Sequence, residues 1–386
     1  MMTKRVSFID GMRGFSLLGI SLANLLIFQF GMYGKDELKN LSTLDSGALY
    51  FVKVFIEGSS MPIFSILFGY SLIKLIESIR KKKNRSRWSI VRRAIGLIAI
   101  GWLHSRYFWE GDILSYYGII IFFLIPFINR KAKTLFIWSG IFFVFSTINL
   151  LFIPVVELSK KEQLKMDTYI EESNAVYADG SYLDVYYYRL NDMPPGFDDP
   201  VDVGIIQILA PLMFISLFLL GMGLAKKRAF ENMEIERRWY ALGALFVPLG
   251  LICKSVSFID SIFSGMLLIG GSLLLSIGYI CLAALLISTR LLPFLLHGFE
   301  SVGKLSMTNY LLQTIICTFV FYGYGLGLYG KIGVFSGIIF GITLYCLQCV
   351  FSVYYLKRFN RGPFENVLRI WTNWSLDGRI KQKESV

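Results

Sequence analysis

The chain has 386 residues, of which 55% are hydrophobic and only 17% charged, with a formal net charge of +12 and a mean hydropathy of +0.57. Soluble domains carry about 25% charged residues. A chain so poor in charge cannot cover the surface of a water-soluble globule, which excludes a soluble enzyme, a nucleic-acid-binding domain and a disordered protein. The composition predicts an all-α integral membrane protein, because stretches of about 20 apolar residues recur along it.

Ten apolar stretches are candidate membrane spans. They are expected at about 12–31, 48–77, 90–108, 113–129, 134–156, 203–225, 239–258, 262–288, 303–324 and 332–356. They divide the chain into an N-terminal five-helix half (1–156), an acidic external loop or cap (157–202), a C-terminal five-helix half (203–356) and a tail (357–386). The tail residues after Pro363 have the apolar spacing of an amphipathic helix, which is expected to lie in the inner membrane interface.

Basic residues predict the orientation of these spans. On one side of the predicted membrane, the ends of the spans and the segments between them hold 28 Lys and Arg residues. The short loops on the other side hold five. Cytoplasmic loops carry the excess of Lys and Arg, so both termini are expected in the cytoplasm, which agrees with an even number of spans. Segment 157–202, with eleven acidic and four basic residues, is then external.

The second apolar stretch is too long for one straight span and contains Gly58 and Pro62, with Glu57 beside them. This predicts a helix broken at membrane depth, which is tolerated where the backbone is buried in protein or lines a cavity. The alternative is that Glu57 lies at the outer interface and that the span begins after Pro62.

Only two histidines occur, His104 near the outer end of the third span and His297 in an inner connection. An ionisable group within a span is a functional candidate. Asp112 follows His104 after a tight external turn. Its carboxylate can face the imidazole there, orient the ring and favour its charged form. We therefore predict His104 and Asp112 as catalytic residues. The alternative is a structural hydrogen bond that closes this hairpin.

Further polar residues in the spans are predicted to line a cavity. They are Asp10, Asn24, Glu57, Ser306, Asn309 and Gln313. The last three recur every three or four residues and so share one face of the ninth span, either as a cavity wall or as contacts between helices. Asp10 can also pair with Arg13, three residues further along the first helix.

Arg92 and Arg93 begin the third span on its inner side, about 18 Å of helix from His104 at 1.5 Å per residue. A phosphate group held by these arginines could reach the histidine through an extended arm. The chain contains neither a metal-ligand cluster nor a phosphate-binding P-loop motif, so we expect no metal ion and no ATP-driven transport.

Several of these residues belong to motifs through which the chain resembles the YeiB-like family of bacterial membrane proteins, whose C-terminal half is a domain of unknown function. The resemblance covers nearly the whole chain and is carried by Ile9-Asp10, Arg13-Gly14, Leu67-Phe68-Gly69, Arg92-Arg93, His104, Gly111-Asp112-Ile113-Leu114, Gly303-Lys304, Met307-Thr308-Asn309-Tyr310-Leu311, Gln313, Arg361-Gly362-Pro363, Glu365 and Arg369. The family often has a lysine after the glycine corresponding to Gly58, and here Ser59 stands there.

The family is similar in layout to transmembrane acyltransferases. The resemblance therefore implies a multi-pass enzyme of the bacterial cell membrane that moves an acyl group from cytoplasmic acyl-CoA to a lipid-like or small-molecule acceptor in or across the membrane. Those enzymes usually carry their histidine in the first helices, where this chain has Asn24, so His104 would take over the role of base. Arg13, Arg92 and Arg93 would lie near the donor phosphates.

Two other functions stay open from the sequence. One is a transporter or exporter of a small or lipid-like solute, with its site formed by the broken second span and the polar stripe of the ninth. The other is a non-catalytic partner subunit. Membrane lipids are the expected surroundings, no nucleic acid is expected as a partner, and the sequence leaves open whether the protein forms a homo-oligomer.

Overall fold

The computed structural model describes residues 4–82, 86–152, 159–192, 194–195, 200–259, 263–288 and 293–378. Every regular element within these ranges is helical, which confirms the predicted all-α class. The helices are α1 (Lys4–Phe30), α2 (Thr43–Phe51), α3 (Ser60–Lys81), α4 (Ser86–Tyr107), α5 (Leu114–Leu124), α6 (Ala132–Phe152), α7 (Lys160–Asp179), α8 (Tyr182–Asn191), α9 (Pro200–Lys226), α10 (Met233–Ala244), α11 (Phe246–Val256), α12 (Ser264–Ser288), α13 (Pro293–Lys304), α14 (Ser306–Phe321), α15 (Val334–Arg358) and α16 (Pro363–Asn373).

Within the described residues, five helical stretches are long and apolar enough to cross a membrane. They are Ser7–Phe30, Thr43–Lys81, Met233–Val256, Ser264–Ser288 and Val334–Arg358. Shorter apolar helices lie where the fourth, fifth, sixth and ninth spans were predicted, at Leu114–Phe127, Ala132–Ile148, Pro211–Lys226 and Ser306–Phe321. The protein is therefore a helical membrane protein.

The second predicted span is broken between α2 and α3. A π-helical turn at Val52–Ile56 follows α2, and Gly58 has a φ of +74°, a left-handed conformation that favours glycine. Pro62 lies in the first turn of α3, where its missing N–H costs nothing. Side chains of α11 and α12 donate to the freed carbonyl oxygens: Lys254 to Glu57 (2.5 Å), Ser276 to Ser59 (2.7 Å) and Tyr279 to Phe55 (3.0 Å). The carbonyl oxygens at the break are thus capped by side chains of the neighbouring helices.

Two segments differ from the expected layout, and the sequence leaves a third, 157–202, open as a loop or a cap. The seventh predicted span is divided at Leu245 into α10 and α11. The inner connection before the ninth span is itself a helix, α13, which packs along α1. In segment 157–202, α7 and α8 begin with reciprocal capping boxes, at Ser159 with Glu162 and at Ser181 with Asp184. This segment therefore contains folded helices.

Close helix crossings depend on glycines. A Cβ atom at Gly221 on α9 would lie 1.9 Å from the carbonyl oxygen of Ile66 on α3, and one at Gly69 on α3 would lie 2.1 Å from that of Phe218 on α9. These reciprocal contacts bring the two backbones together, as small residues do in membrane helix pairs.

We expect Gly221→Ala to destabilise the protein, because the added methyl group must push the α3 backbone away from α9. Overpacking of this kind costs about 1–3 kcal/mol. The thermal unfolding midpoint in detergent should fall. The matched control is Gly270→Ala on α12, where a Cβ atom has no neighbour within 4 Å. Equal midpoints for the two variants would contradict the close crossing.

Helices α7 and α8 cover one end of the bundle. Tyr177 donates to Glu110 (3.0 Å) and Tyr182 to the carbonyl oxygen of Tyr107 (2.8 Å), both acceptors lying at or beyond the end of α4. Tyr329 after α14 donates to Asn174 (2.8 Å). These contacts place the two helices over the connection that contains Asp112.

At the opposite end of α4, the tail helix α16 folds back against the bundle. Trp371 donates its indole N–H to the carbonyl oxygen of Arg92 (2.7 Å), and the Glu365 carboxylate accepts from the backbone N–H groups of Met307 (2.8 Å) and Thr308 (3.0 Å). Glu365 thus caps the N-terminus of α14. The exposed face of α16 is apolar and carries Phe364, Val367 and Trp371, as expected for an interfacial helix.

Candidate functional site

A cavity of about 680 Å³ lies between α1, α3, α4, α5, α14 and α16. Its lining along α3 runs from Phe64 to Ser78, which corresponds to about 21 Å of helix at 1.5 Å per residue. Volumes of about 300–1,000 Å³ are typical of small-molecule sites. The cavity is thus long enough to hold an extended ligand.

One end of the cavity is cationic. Five basic side chains and two carboxylates line it, which gives a net charge of +3; they are Arg13, Arg93, Lys304, Arg361, Arg369, Asp10 and Glu365. Some of these charges are neutralised within the protein, since Arg13 pairs with Asp10 (3.0 Å) and also donates to Ser71, and Lys304 pairs with Glu300 (2.7 Å).

Arg93 differs from these paired cations. Its guanidinium lines the cavity and lies 6.0 Å from the ring centre of Phe68, but it makes no hydrogen bond or ion pair with any residue that the structure describes. A guanidinium has five N–H donors in a fixed fork that matches phosphate or carboxylate. Arg93 is therefore the clearest candidate to bind an anion in this cavity.

The other end of the cavity is apolar and aromatic. It is lined by Leu97, Ile113, Leu114, Phe64, Tyr117 and Tyr310. The Tyr117 hydroxyl lies 3.0 Å from that of Ser65, and the Tyr310 hydroxyl donates to the carbonyl oxygen of Gly111 (3.1 Å). Because these polar atoms are already bonded, this end presents ring faces and aliphatic groups to a ligand.

His104 and Asp112 lie behind the apolar end of the cavity. His104 Nδ1 is 3.0 Å from Asp112 Oδ1, and Nε2 is 3.0 Å from the Thr314 hydroxyl on α14. The second carboxylate oxygen accepts from the backbone N–H of Ser115 (2.7 Å). Both side chains of the pair are buried, with exposed fractions of 2% and 3%. The structure thus brings together the two residues predicted to be catalytic.

A glycine permits this contact between α4 and the start of α5. A Cβ atom at Gly101 would lie 2.3 Å from Asp112 Oδ2, so only glycine allows the carboxylate to approach α4 so closely. Asp112 itself lies in the connection between the two helices. Burial would raise the pKa of its carboxyl, but the hydrogen bonds from His104 and the Ser115 amide outweigh it and hold this pKa below its usual value. Asp112 is therefore a carboxylate that accepts from the imidazole.

Tyr310 separates the imidazole from the cavity. Its ring lines the cavity, and its centre lies 5.3 Å from that of His104. His104 itself does not line the cavity. A ligand in the cavity could reach the imidazole only if the Tyr310 side chain turned aside.

The other predicted site residues are placed as follows. Asp10, Arg13, Arg93 and Ser306 line the cavity. Arg92 does not line it and instead donates to the carbonyl oxygen of Thr372 on α16 (3.0 Å).

Asn309 donates to Ser352 and Gln313 to Gln348, so both bond to α15. Glu57 pairs with Lys35 (2.7 Å) at the helix break. Asn24 lies on α1 away from the cavity and makes no side-chain hydrogen bond with the described residues. Among the described residues, neither Glu57 nor the α14 residues Asn309 and Gln313 line the cavity.

Sequence reasoning missed several residues at this site. Thr314 and Tyr310 were not singled out for chemistry, although Tyr310 stands within a motif that carries the family resemblance. The same motifs contain Arg361, Glu365 and Arg369, which the structure places at the cationic end of the cavity.

A helical membrane bundle with a buried amphipathic cavity is thus the class of protein that the fold and the site define. The model of the family described as "Protein of unknown function (DUF418)" matches residues 223–375. The uncharacterised protein YxaH of Bacillus subtilis (strain 168) is 30% identical over 383 residues, covering 94% of this chain and 92% of the relative. The uncharacterised protein YeiB of Escherichia coli (strain K12) is 25% identical, covering 92% and 93%.

An uncharacterised 39.9 kDa protein encoded in the amylase 3′ region of Bacillus acidopullulyticus is 24% identical, covering 96% of this chain and 94% of the relative. No solved structure matches the chain. The similarity to YxaH and YeiB over nearly the whole length shows that the chain belongs to the YeiB-like family, as its motifs indicated.

Proposed function

We propose that this protein is a multi-pass acyltransferase of the bacterial cell membrane that takes acyl-CoA from the cytoplasm. The observation that carries the proposal is the amphipathic cavity, which joins a cationic end at Arg93 to an apolar end beside the His104–Asp112 pair. A molecule with phosphates at one end and an acyl chain at the other matches this distribution of charge and apolar surface.

Electrostatics favours an anionic head group at the end near α16. The lining has a net charge of +3, and Arg93 makes no hydrogen bond or ion pair with the described residues. An unpaired guanidinium in a partly desolvated cavity forms strong, charge-assisted hydrogen bonds with phosphate. Arg361 and Arg369 lie at the same end and would contact the remaining phosphate oxygens.

The chemical step is assigned to the imidazole. Asp112 holds Nδ1, so Nε2 of His104 is the atom that would accept the proton of an acceptor hydroxyl or amine. The thioester would have to pass the Tyr310 ring, and we propose that this side chain turns aside when the donor is bound. The acceptor would arrive from the lipid or from the outer side.

The proposed direction of transfer rests on ten spans with both termini in the cytoplasm. The excess of Lys and Arg at one set of helix ends and the acidic segment 157–202 support this orientation. It places the cationic end of the cavity at the cytoplasmic face, where acyl-CoA is available, and Asp112 near the outer face.

We expect tags at both termini to be protected in intact cells and a cysteine introduced into 160–191 to react with an impermeant thiol reagent. The same reagent should label a cysteine introduced at exposed Arg87 only after the cells are permeabilised. Labelling of the Arg87 position in intact cells would contradict the proposed orientation.

The function is tested by ligand binding to the purified protein. Octanoyl-CoA should raise the thermal unfolding midpoint in proportion to the logarithm of its concentration above Kd. CoA alone and octanoate alone should each shift it less, because each fills only one end of the cavity. The transporter alternative, with its site at the broken span, predicts no binding of acyl-CoA. Absence of a shift at millimolar donor would therefore remove the enzyme proposal.

A further inference from the structure

Thr314 completes a chain of three side chains with His104 and Asp112. Its hydroxyl lies 3.0 Å from Nε2 of His104, whose Nδ1 lies 3.0 Å from Asp112 Oδ1. The three residues come from α14, α4 and the connection before α5, and Thr314 is buried like His104. A hydroxyl, a base and a group that orients the base, in this order, are the arrangement that activates a nucleophile.

The direction of the two hydrogen bonds of His104 follows from the ionised carboxylate of Asp112. An ionised carboxylate has no proton to donate, so the Nδ1 proton of a neutral His104 points to Asp112. Nε2 is then the acceptor atom of the ring. The Thr314 hydroxyl has two acceptors within reach, Nε2 at 3.0 Å and the carbonyl oxygen of Tyr310 at 3.5 Å, and the shorter contact favours donation to Nε2. The hydroxyl oxygen is thus polarised towards its nucleophilic form in the resting protein.

We propose that Thr314 is the covalent acyl carrier of this protein, an inference that rests on the proposed acyl transfer. Thr314 Oγ1 attacks the thioester carbonyl carbon while its proton passes to His104 Nε2. The carbon–sulfur bond then breaks, and the proton leaves with the CoA thiol. In the second half, an acceptor hydroxyl or amine gives its proton to His104 and attacks the ester carbonyl carbon. The bond from that carbon to Thr314 Oγ1 then breaks, and Oγ1 takes the proton back from His104 as the acylated acceptor leaves.

The position of Thr314 in the bundle agrees with this role. It lies one helical turn beyond Tyr310, whose ring lines the apolar end of the cavity and contacts the imidazole. An acyl group carried by Thr314 has therefore left the donor cavity, with Tyr310 between it and the CoA. The carrier would let donor and acceptor react from opposite sides without meeting.

The test uses purified protein incubated with octanoyl-CoA, quenched in acid and analysed by mass spectrometry of the α14 peptide. We expect an octanoyl adduct on Thr314 in the wild type and on residue 314 in Thr314→Ser. Thr314→Val, which keeps the shape and loses the hydroxyl, should show none and should release CoA at least about a hundred-fold more slowly. Thr318→Val is the matched control, because Thr318 is also buried on α14 and its hydroxyl bonds to the carbonyl oxygen of Ile315 and to Tyr324, with no contact to His104 among the described residues.

The outcomes separate the carrier from the proposed function. If octanoyl-CoA binds but no adduct forms, or if Thr314→Val releases CoA at the wild-type rate, the carrier is overturned and the proposed function stands. If octanoyl-CoA does not bind at all, the proposed function itself fails. If the Thr314 hydroxyl makes only a structural hydrogen bond, Thr314→Val and Thr318→Val should lower the thermal unfolding midpoint equally and no adduct should form. If Thr314→Val does not fold, the presence or absence of the adduct in the wild type still tests the carrier.

Discussion

Replacing His104 with alanine should lower the rate of acyl transfer by about 10²–10⁴, the usual contribution of a general base. The affinity for octanoyl-CoA should change little, because the imidazole does not line the donor cavity and Tyr310 stands between them. The two measurements are CoA release from membranes and the thermal shift of the purified protein with donor.

His297→Ala is the matched control, since this second histidine is exposed on α13. It should leave both quantities unchanged. Asp112→Asn should reduce the rate as well, because an amide cannot hold the imidazole proton as the carboxylate does. If His104→Ala transfers acyl groups at the wild-type rate, His104 is not the base, and its contact with Asp112 only closes the hairpin between α4 and α5.

Arg93→Ala should weaken octanoyl-CoA binding by about ten- to a hundred-fold. A hydrogen bond to a charged group contributes about 1.5–3 kcal/mol, and 1.4 kcal/mol is a factor of ten in affinity. Removing Arg93 leaves no buried partner unpaired among the described residues, so the loss of affinity reports the contact with the ligand. Calorimetric titration of the purified variant measures it.

Arg87→Ala provides the control for charge at the same end of α4, because Arg87 is exposed and does not line the cavity. Its affinity for the donor should stay within about twofold of the wild type, well under 1 kcal/mol. If Arg87→Ala and Arg93→Ala weakened binding equally, the effect would be one of surface charge, and Arg93 would not be a phosphate ligand.

Much of the helical layout could be predicted from sequence, because the length and the apolar composition of a stretch are enough to indicate a membrane helix. The break near Gly58 was visible as a glycine within an overlong stretch. The helix α13 was missed because its apolar residues stand in a short, proline-initiated segment between two spans. The folded state of α7 and α8 depends on contacts with Glu110 and Tyr107, which no local pattern reveals.

The site was predictable only where its residues are close in sequence. His104 and Asp112 are separated by one tight turn, and they do meet. Arg92 and Arg93 were treated as equivalent, but successive residues of a helix are rotated by about 100°, given 3.6 residues per turn. They therefore face different neighbours, Arg92 towards α16 and Arg93 towards the cavity.

The residues from the tail could not be placed from sequence because their position depends on how α16 folds back. Glu365 reaches the N-terminus of α14, 58 residues earlier in the chain. The partners of the polar stripe of α14 could not be predicted for the same reason. The spacing of Asn309 and Gln313 shows that they share a helix face, but only the packing of the helices shows that this face contacts Ser352 and Gln348 on α15.

An experimental structure of the purified protein with octanoyl-CoA tests the central claim most directly. The donor should occupy the cavity between α3, α4 and α14, with its phosphates at Arg93, Arg361 and Arg369 and its acyl chain between Phe64 and Tyr117, directed towards Tyr310. Density for the donor at the helix break near Glu57, or a cavity that stays free of donor at saturating concentration, would contradict the account.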